Sequence, residues 1–278
     1  MRPVGDTVHL TKHHGLGNDF LVLVDLDDLT PVGAATARWL CDRRRGVGAD
    51  GFIRVAPPPA GGDGAGAHVA MTLRNADGGE AEMSGNGIRC LGQAVARHRG
   101  VTSLDLTVAT AGGVRELRVR PGPPHDPATA WVDVDMGPAR PGTATWVTTV
   151  ELDATKVVTV DMGNPHLVLL VDDPAGVDLA ELGPRLSAQF DHGSNVEVIR
   201  LAAGAEDTLE LRVWERGVGL TQACGTGACA AAHAAHDWGL VGERVRVRML
   251  GGEVDVTLGA TVALAGPATF VADIEVRV

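Results

Sequence analysis

Two short turns carry the side chains best suited to proton chemistry. Ser84 opens "SGNG" within "AEMSGNGIRC", and Cys224 opens "CGTG" within "TQACGTGACA". Each sets a hydroxyl or thiol before Gly-x-Gly and a run that reads as helix. The N–H groups of a first helical turn lack intrahelical acceptors and the dipole is positive there, so each turn suits an anion. The glycines let a ligand approach the backbone closely. Neither G-x-x-x-x-G-K-[ST] nor G-x-G-x-x-G is present, which favours a carboxylate over a phosphate. A thiol in this position can drop from a pKa of about 8.5 into the range of about 3.5–7.5, so Cys224 is expected to be an activated base or nucleophile. With ten histidines in the chain, a triad-type thiol hydrolase is one option. The other is stereoinversion, in which one group removes an α-proton and a second delivers a proton to the opposite face.

The elements around these turns read as a duplication. "GNDFLVLV" (Gly17 to Val24) resembles "GNPHLVLL" (Gly163 to Leu170) at an offset of 146, and Ser84–Gly87 matches Cys224–Gly227 at an offset of 140. "TAGGVRELRV" echoes "MLGGEVDVTL", with Gly112 and Gly251 offset by 139. Three collinear pairs at nearly constant offset predict two homologous halves. If a pseudo-twofold axis relates them, residues 84 and 224 would face one another. Strand-like runs fall at 19–25, 68–74, 104–110 and 114–120, with helices near 33–45 and 86–99. The second half reads as strands near 130–136, 166–171, 194–200, 209–214, 243–250 and 252–258, with helices near 178–190 and 226–238. Many strands around one or two apolar helices predict an α+β fold of two pseudo-symmetric lobes, each a curled β-sheet wrapped around a central helix. Two Pro/Gly-rich stretches, Pro57–Gly66 and Pro121–Ala130, read as linkers.

Composition narrows the function classes. The chain of 278 residues has a net charge of -11, and only Lys12 and Lys156 among its 24 basic residues are lysines. That balance lacks the basic footprint of a nucleic-acid or anionic-membrane binder, and no apolar run is long enough to span a bilayer. Four cysteines do not make a disulfide framework in so long a chain, so a cytoplasmic location with reduced thiols is expected. Cys224 and Cys229 lack a second pair and have poor zinc spacing, so no metal is expected. Neither lysine lies in a recognisable pyridoxal motif, which favours chemistry with no cofactor.

At the level of motifs, "HGLGNDF", "GVGADG", "RNADGGEAEMSGNGIRC", "GNPH" and "ERGVGLTQACGTGACA" together resemble the diaminopimelate epimerase family, in order from His14 to about Ala230. The resemblance implies two pseudo-symmetric lobes, an N-terminal one at 1–124 joined by a returning last strand at 270–278, and a C-terminal one at 125–269. It also implies interconversion of LL- and meso-diaminopimelate, on the route to lysine, with neither metal nor cofactor, by a cytoplasmic homodimer. Position by position, Cys224 matches one of two catalytic cysteines. Gly85, Asn86, Gly225 and Thr226 match the turns that hold the reacting carboxylate. Asn18, Asn75, Asn164, Asn195, Glu215 and Arg216 match the polar set around the substrate. In that set Arg216 would meet a distal carboxylate and Glu215 a distal ammonium. His166 in "GNPH" lies beside the site in the family, in either a structural or a chemical role.

Two positions depart from the pattern. Gly51 stands where some family members carry glutamine. Ser84 occupies the place of the second catalytic cysteine, and a hydroxyl is a far weaker acid than a thiol. Loss of a good acid/base group costs about 10²–10⁴ in rate. Cys90, six residues beyond Ser84, reads as core. Two further readings stay open: a related cofactor-independent racemase, epimerase or isomerase acting on another amino acid, and a catalytically silent diaminopimelate-binding relative.

Overall fold

A computed structural model of the protein describes residues 7–81, 83–143 and 154–277. It divides into two compact units, one of residues up to Val134 together with those from Gly266 on, the other Asp135–Ala265.

In the first unit the chain runs β1 (Thr7–Gly15), β2 (Asn18–Val24), α1 (Ala34–Cys41), β3 (Gly51–Ala56), β4 (Val69–Asn75), β5 (Glu80–Ala81), α2 (Gly85–His98), β6 (Leu104–Thr110), β7 (Gly113–Pro121) and β8 (Thr129–Asp135). The second unit follows as β9 (Arg140–Pro141), β10 (Lys156–Asp161), β11 (Pro165–Leu170), α3 (Leu179–Ser187), β12 (Asn195–Leu201), β13 (Thr208–Glu215), β14 (Gly219–Thr221), α4 (Gly225–Asp237), β15 (Arg244–Met249) and β16 (Gly252–Thr257). The last strand, β17 (Ala263–Arg277), begins in the second unit and ends in the first.

The duplication expected from the three sequence pairs is present in the pairing pattern. β1 is antiparallel to β2, β2 parallel to β3, β3 antiparallel to β4, β4 parallel to β6, and β6 antiparallel to β7. β10, β11, β12, β13, β15 and β16 repeat those five relations in the same order. In the first unit β7 pairs with β8, β8 with β17, and β17 with β1, which closes an eight-stranded barrel. The barrel encloses α2, which packs on β1, β2, β3, β4, β6 and β7, and every α2 residue from Gly85 to Ala96 is buried. The matching strands of the second unit pack on α4, whose run of alanines fits so tight an enclosure.

Strands flanked on both sides explain the near-continuous apolar runs in β2 and β11. Leu21 and Leu23 pack outward on Ala37 and Leu40 of α1, while Leu167 and Leu169 pack on Leu179 and Leu186 of α3. Alternation turns Phe20 and Val22, and likewise His166 and Val168, toward the central helices.

Several details differ from the sequence reading. β1, β3, β10 and the short β14 are strands that hydrophobic patterning did not reveal. β1 alternates its apolar residues with Thr, Lys and His, and β14 has only three residues. Pro121–Ala130 is no inter-domain linker but the β7–β8 connection, bracketed by pairs from Leu117–Val134 to Pro121–Ala130. That pairing holds the chain in the first unit beyond position 124. Val278, the last residue of the strand expected over 270–278, lies outside the described residues. No helix among the described residues is long and apolar enough to cross a membrane.

Candidate active site

Both reactive side chains cap the helix they precede. Ser84 has extended backbone, and its Oγ accepts from Gly87 N–H at 3.0 Å. Cys224 does the same at α4, where its Sγ accepts from Gly227 N–H at 3.4 Å. Gly85 and Asn86, like Gly225 and Thr226, therefore form first helical turns whose amides have no intrahelical acceptor.

In the first unit a chain of polar groups fixes the turn. Asn86 Nδ2 donates to Asn18 Oδ1 at 3.1 Å, and Asn18 Nδ2 donates to Asp50 Oδ2 at 2.9 Å. Arg43 bonds both Asp50 and Asp19, and Lys12 Nζ lies 2.8 Å from Asp19. Burial alone would raise the Asp19 carboxyl, but hydrogen bonds from Arg43 and Lys12 outweigh it and hold it at about 2. The buried Arg89 donates to Asn86 Oδ1 at 2.8 Å. Asn75 is exposed at the end of β4, opposite Gly51. A Cβ on Gly51 would lie 2.9 Å from the Phe20 ring, so the backbone there leaves no room for a side chain.

The second unit is built differently. Cys224 is buried, and its Sγ lies 3.5 Å from Thr226 Oγ1. Asn164 Nδ2 reaches Thr226 Oγ1 at 3.4 Å, and Asn164 Oδ1 lies 3.0 Å from His166 Nε2. His166 Nδ1 meets Glu197 Oε1 at 2.7 Å, with both side chains fully buried. Glu215 accepts from Thr221 Oγ1, and its carboxyl acts electrostatically on the Cys224 thiol. Asn195 Oδ1 accepts from Arg216 N–H at 2.9 Å, and Arg216 itself donates to His192 O at 3.1 Å.

The expected acidic thiol is not what this geometry produces. Burial pushes the Cys224 thiol well above its ordinary value, and the Glu215 and Glu197 carboxylates push it further. The helix dipole and the bonds from Thr226 and Gly227 act in the opposite direction but lose to desolvation. Burial likewise raises the Glu215 carboxyl, against the bond from Thr221 and the nearby Cys224 thiol. The resting thiol is therefore protonated beside a carboxyl group of raised pKa. Cys90 sits in the core as expected, its thiol pushed up to about 12 by burial.

A family model described as diaminopimelate epimerase matches residues 10–141 and 158–271. The chain belongs to the diaminopimelate epimerase family. A diaminopimelate epimerase of Erythrobacter litoralis is 39% identical over 266 residues, covering 94% of each chain. One from Rhodospirillum centenum is 39% identical over 257 residues, covering 87% of this chain and 82% of that one. Among solved structures, a PhzF-family phenazine biosynthesis protein from Bacillus anthracis aligns at TM-score 0.70 and 17% identity, covering 98% of this chain and 100% of that one. A hydroxyproline epimerase from Agrobacterium vitis aligns at 0.69 and 16%, covering 99% and 94%. At those identities the two structures establish the shared two-lobed fold.

As a diaminopimelate epimerase family member the protein is an enzyme, an isomerase acting on a small molecule. The structure gathers Asn18, Gly85 and Asn86 around Ser84, and Asn164, His166, Glu215 and Thr226 around Cys224. Asn195 and Arg216 form a separate link, joined to each other. Sequence reasoning missed Asp50, Arg89, Thr221 and Glu197. Glu197 had a readable signal: it shares a strand face with Asn195 in "NVEVIR", an otherwise apolar stretch.

Proposed function

We propose that this enzyme interconverts LL- and meso-diaminopimelate without a cofactor, by two-base transfer of the α-proton, with Cys224 as one acid/base and Ser84 in place of the second. The observation that carries this is the buried Cys224 thiol, capping α4 and interacting with the Glu215 carboxyl. Glu215 takes the thiol proton, and the thiolate removes the substrate α-proton. The amides of Gly225 and Thr226, with those of Gly85 and Asn86, hold the reacting carboxylate and stabilise the charge that develops on it. Ser84 delivers the proton at the other face or relays it through water, because its hydroxyl carries no appreciable anion at neutral pH. Asn18, Asn75, Asn164, Asn195 and Arg216 surround the substrate, much of the set directed at its distal amino-acid end, with Arg216 meeting the distal carboxylate.

The lysines support chemistry on these side chains alone. Lys12 Nζ is held by Asp19 and donates to Gly48 O at 2.7 Å, and Lys156 is exposed at the start of β10. Neither is poised as a Schiff-base nucleophile. A cytoplasmic homodimer is part of the same proposal, drawn from the family.

The test is proton NMR in D₂O without added pyridoxal cofactor, starting separately from each stereoisomer. Conversion with one deuterium at the inverted centre is the expected result, with unequal exchange rates from the two isomers. Absence of α-proton exchange from both, with binding demonstrated, would overturn the proposal.

A further inference from the structure

The strand registers align the two halves residue by residue. Phe20 pairs with Gly51 across β2 and β3, and His166 pairs with Asn195 across β11 and β12. Two residues further along the second strand of each pair, on the same face, stand Ile53 and Glu197. The central helices report the same equivalence. A Cβ on Gly87 would lie 3.2 Å from Ile53 Cδ1 and 3.4 Å from the Phe20 ring, whereas one on Gly227 would lie 2.6 Å from Glu197 Oε1. An apolar Phe–Ile pair behind the Ser84 turn is thus a buried His–Glu pair behind the Cys224 turn.

A buried carboxylate is costly unless it is paired and hydrogen-bonded. Glu197 Oε1 takes the hydrogen bond of His166 Nδ1, while Oε2 has no hydrogen-bond partner among the described residues. A carboxylate accepts, so Nδ1 donates to Glu197, and Nε2, which faces the Asn164 Oδ1 acceptor, donates on the other side of the ring. From there contacts run through Thr226 Oγ1 to Cys224 Sγ.

We propose that Glu197 is a positioning residue for Cys224: its buried carboxylate fixes the orientation of the His166 ring, and with it the Asn164–Thr226 contacts at the thiol. It also keeps a second negative charge, besides Glu215, close to the sulfur. This deepens the reading of Cys224 as the working thiol and rests on it. The charged groups acting on that thiol are Glu215 from β13 and Glu197 from β12, with His166 from β11 paired to the latter, and α4 brings no charge between Gly225 and Ala232.

The experiment is Glu197→Gln, which keeps shape and removes charge, read by ¹⁵N NMR of His166 and by ¹³Cβ titration of Cys224 in the substrate-free enzyme. The expected result is an altered His166 Nδ1 signal and a Cys224 thiol that titrates at lower pH than in the wild type, since one opposing charge is gone. In turnover, kcat for α-proton exchange should fall about 10–100-fold with KM little changed, the scale seen when an outer partner that orients a functional side chain is removed. Should Glu197→Gln not fold, the double variant His166→Phe/Glu197→Ile copies the Phe20/Ile53 pair that the first unit already tolerates. The thiol should again titrate lower in it. A Cys224 titration identical to wild type in the folded variant would overturn the proposal, as would an unchanged kcat in Glu197→Gln. The NMR signals need no substrate, so they decide the role of Glu197 even if diaminopimelate is not turned over.

Discussion

The Ser84 half and the Cys224 half share one strand plan and differ in what lies behind the turn. Behind Ser84 are Phe20 and Ile53, and the groups that reach the turn are the amide of Asn18 and the guanidinium of Arg89. Behind Cys224 are His166, Glu197 and Glu215, two of them fully buried. A duplicated fold thus supplies two equivalent helix-opening turns, while the polar groups packed beneath each differ. On the proposed reading, the stronger acid/base equipment belongs to the second half.

The sharpest break of that contrast is Cys224→Ala. Exchange of the α-proton from at least one stereoisomer should fall toward 10⁴-fold, the upper end for an acid/base group, as read by deuterium incorporation. Next is Glu215→Gln, expected to cost about 10²-fold in kcat. Wild-type kcat should rise with pH above the ordinary carboxylate range, because burial holds Glu215 protonated to higher pH. The sign for stability is opposite. A carboxyl raised by folding favours the fold below its unfolded pKa and loses that contribution as pH rises through the folded value. At neutral pH Glu215→Gln should therefore melt no lower than wild type, and a marked drop in Tm would contradict this.

How much of this contrast could be read from the sequence follows from range. The turns, their helices and the β2/β11 repeat are local, and local patterns place them. Ser84 against Cys224 was visible in four-residue motifs. The pKa of Cys224 was not, because it is set by burial and by Glu197 and Glu215 arriving from other strands. Asp50 and Arg89 were likewise invisible as partners of Asn18 and Asn86, since pairing across many residues leaves no periodic trace. The Pro121–Ala130 stretch misled for the same reason: its proline content marks a break in regular structure, but only the β7–β8 register shows that the chain returns to the same barrel.

Replacing Ser84 with cysteine sharpens the comparison from the other side. Ser84→Cys should raise the epimerisation rate by about 10-fold or more, within the range a better acid/base group provides. Equal or lower turnover would mean that the Ser84 turn is already matched to its task. The smallest effect compares glycines. Gly227→Ala forces a methyl group to within 2.6 Å of Glu197 Oε1, whereas Gly87→Ala meets the end of Ile53 at 3.2 Å. Gly227→Ala should cost about 1–3 kcal/mol of stability, as overpacking does, and Gly87→Ala less, measured by denaturant unfolding.

β17 has a consequence for how such a protein can be cut and made. Its residues from Thr269 to Arg277 are the staves that lie beside β1 and close against β8, although they come last in the chain. A polypeptide ending at Val134 would carry two bare strand edges, each a template for pairing with its neighbours in solution. During synthesis the first barrel stays open until β17 emerges, so the lobe begun first is sealed only after the strands of the second have been made.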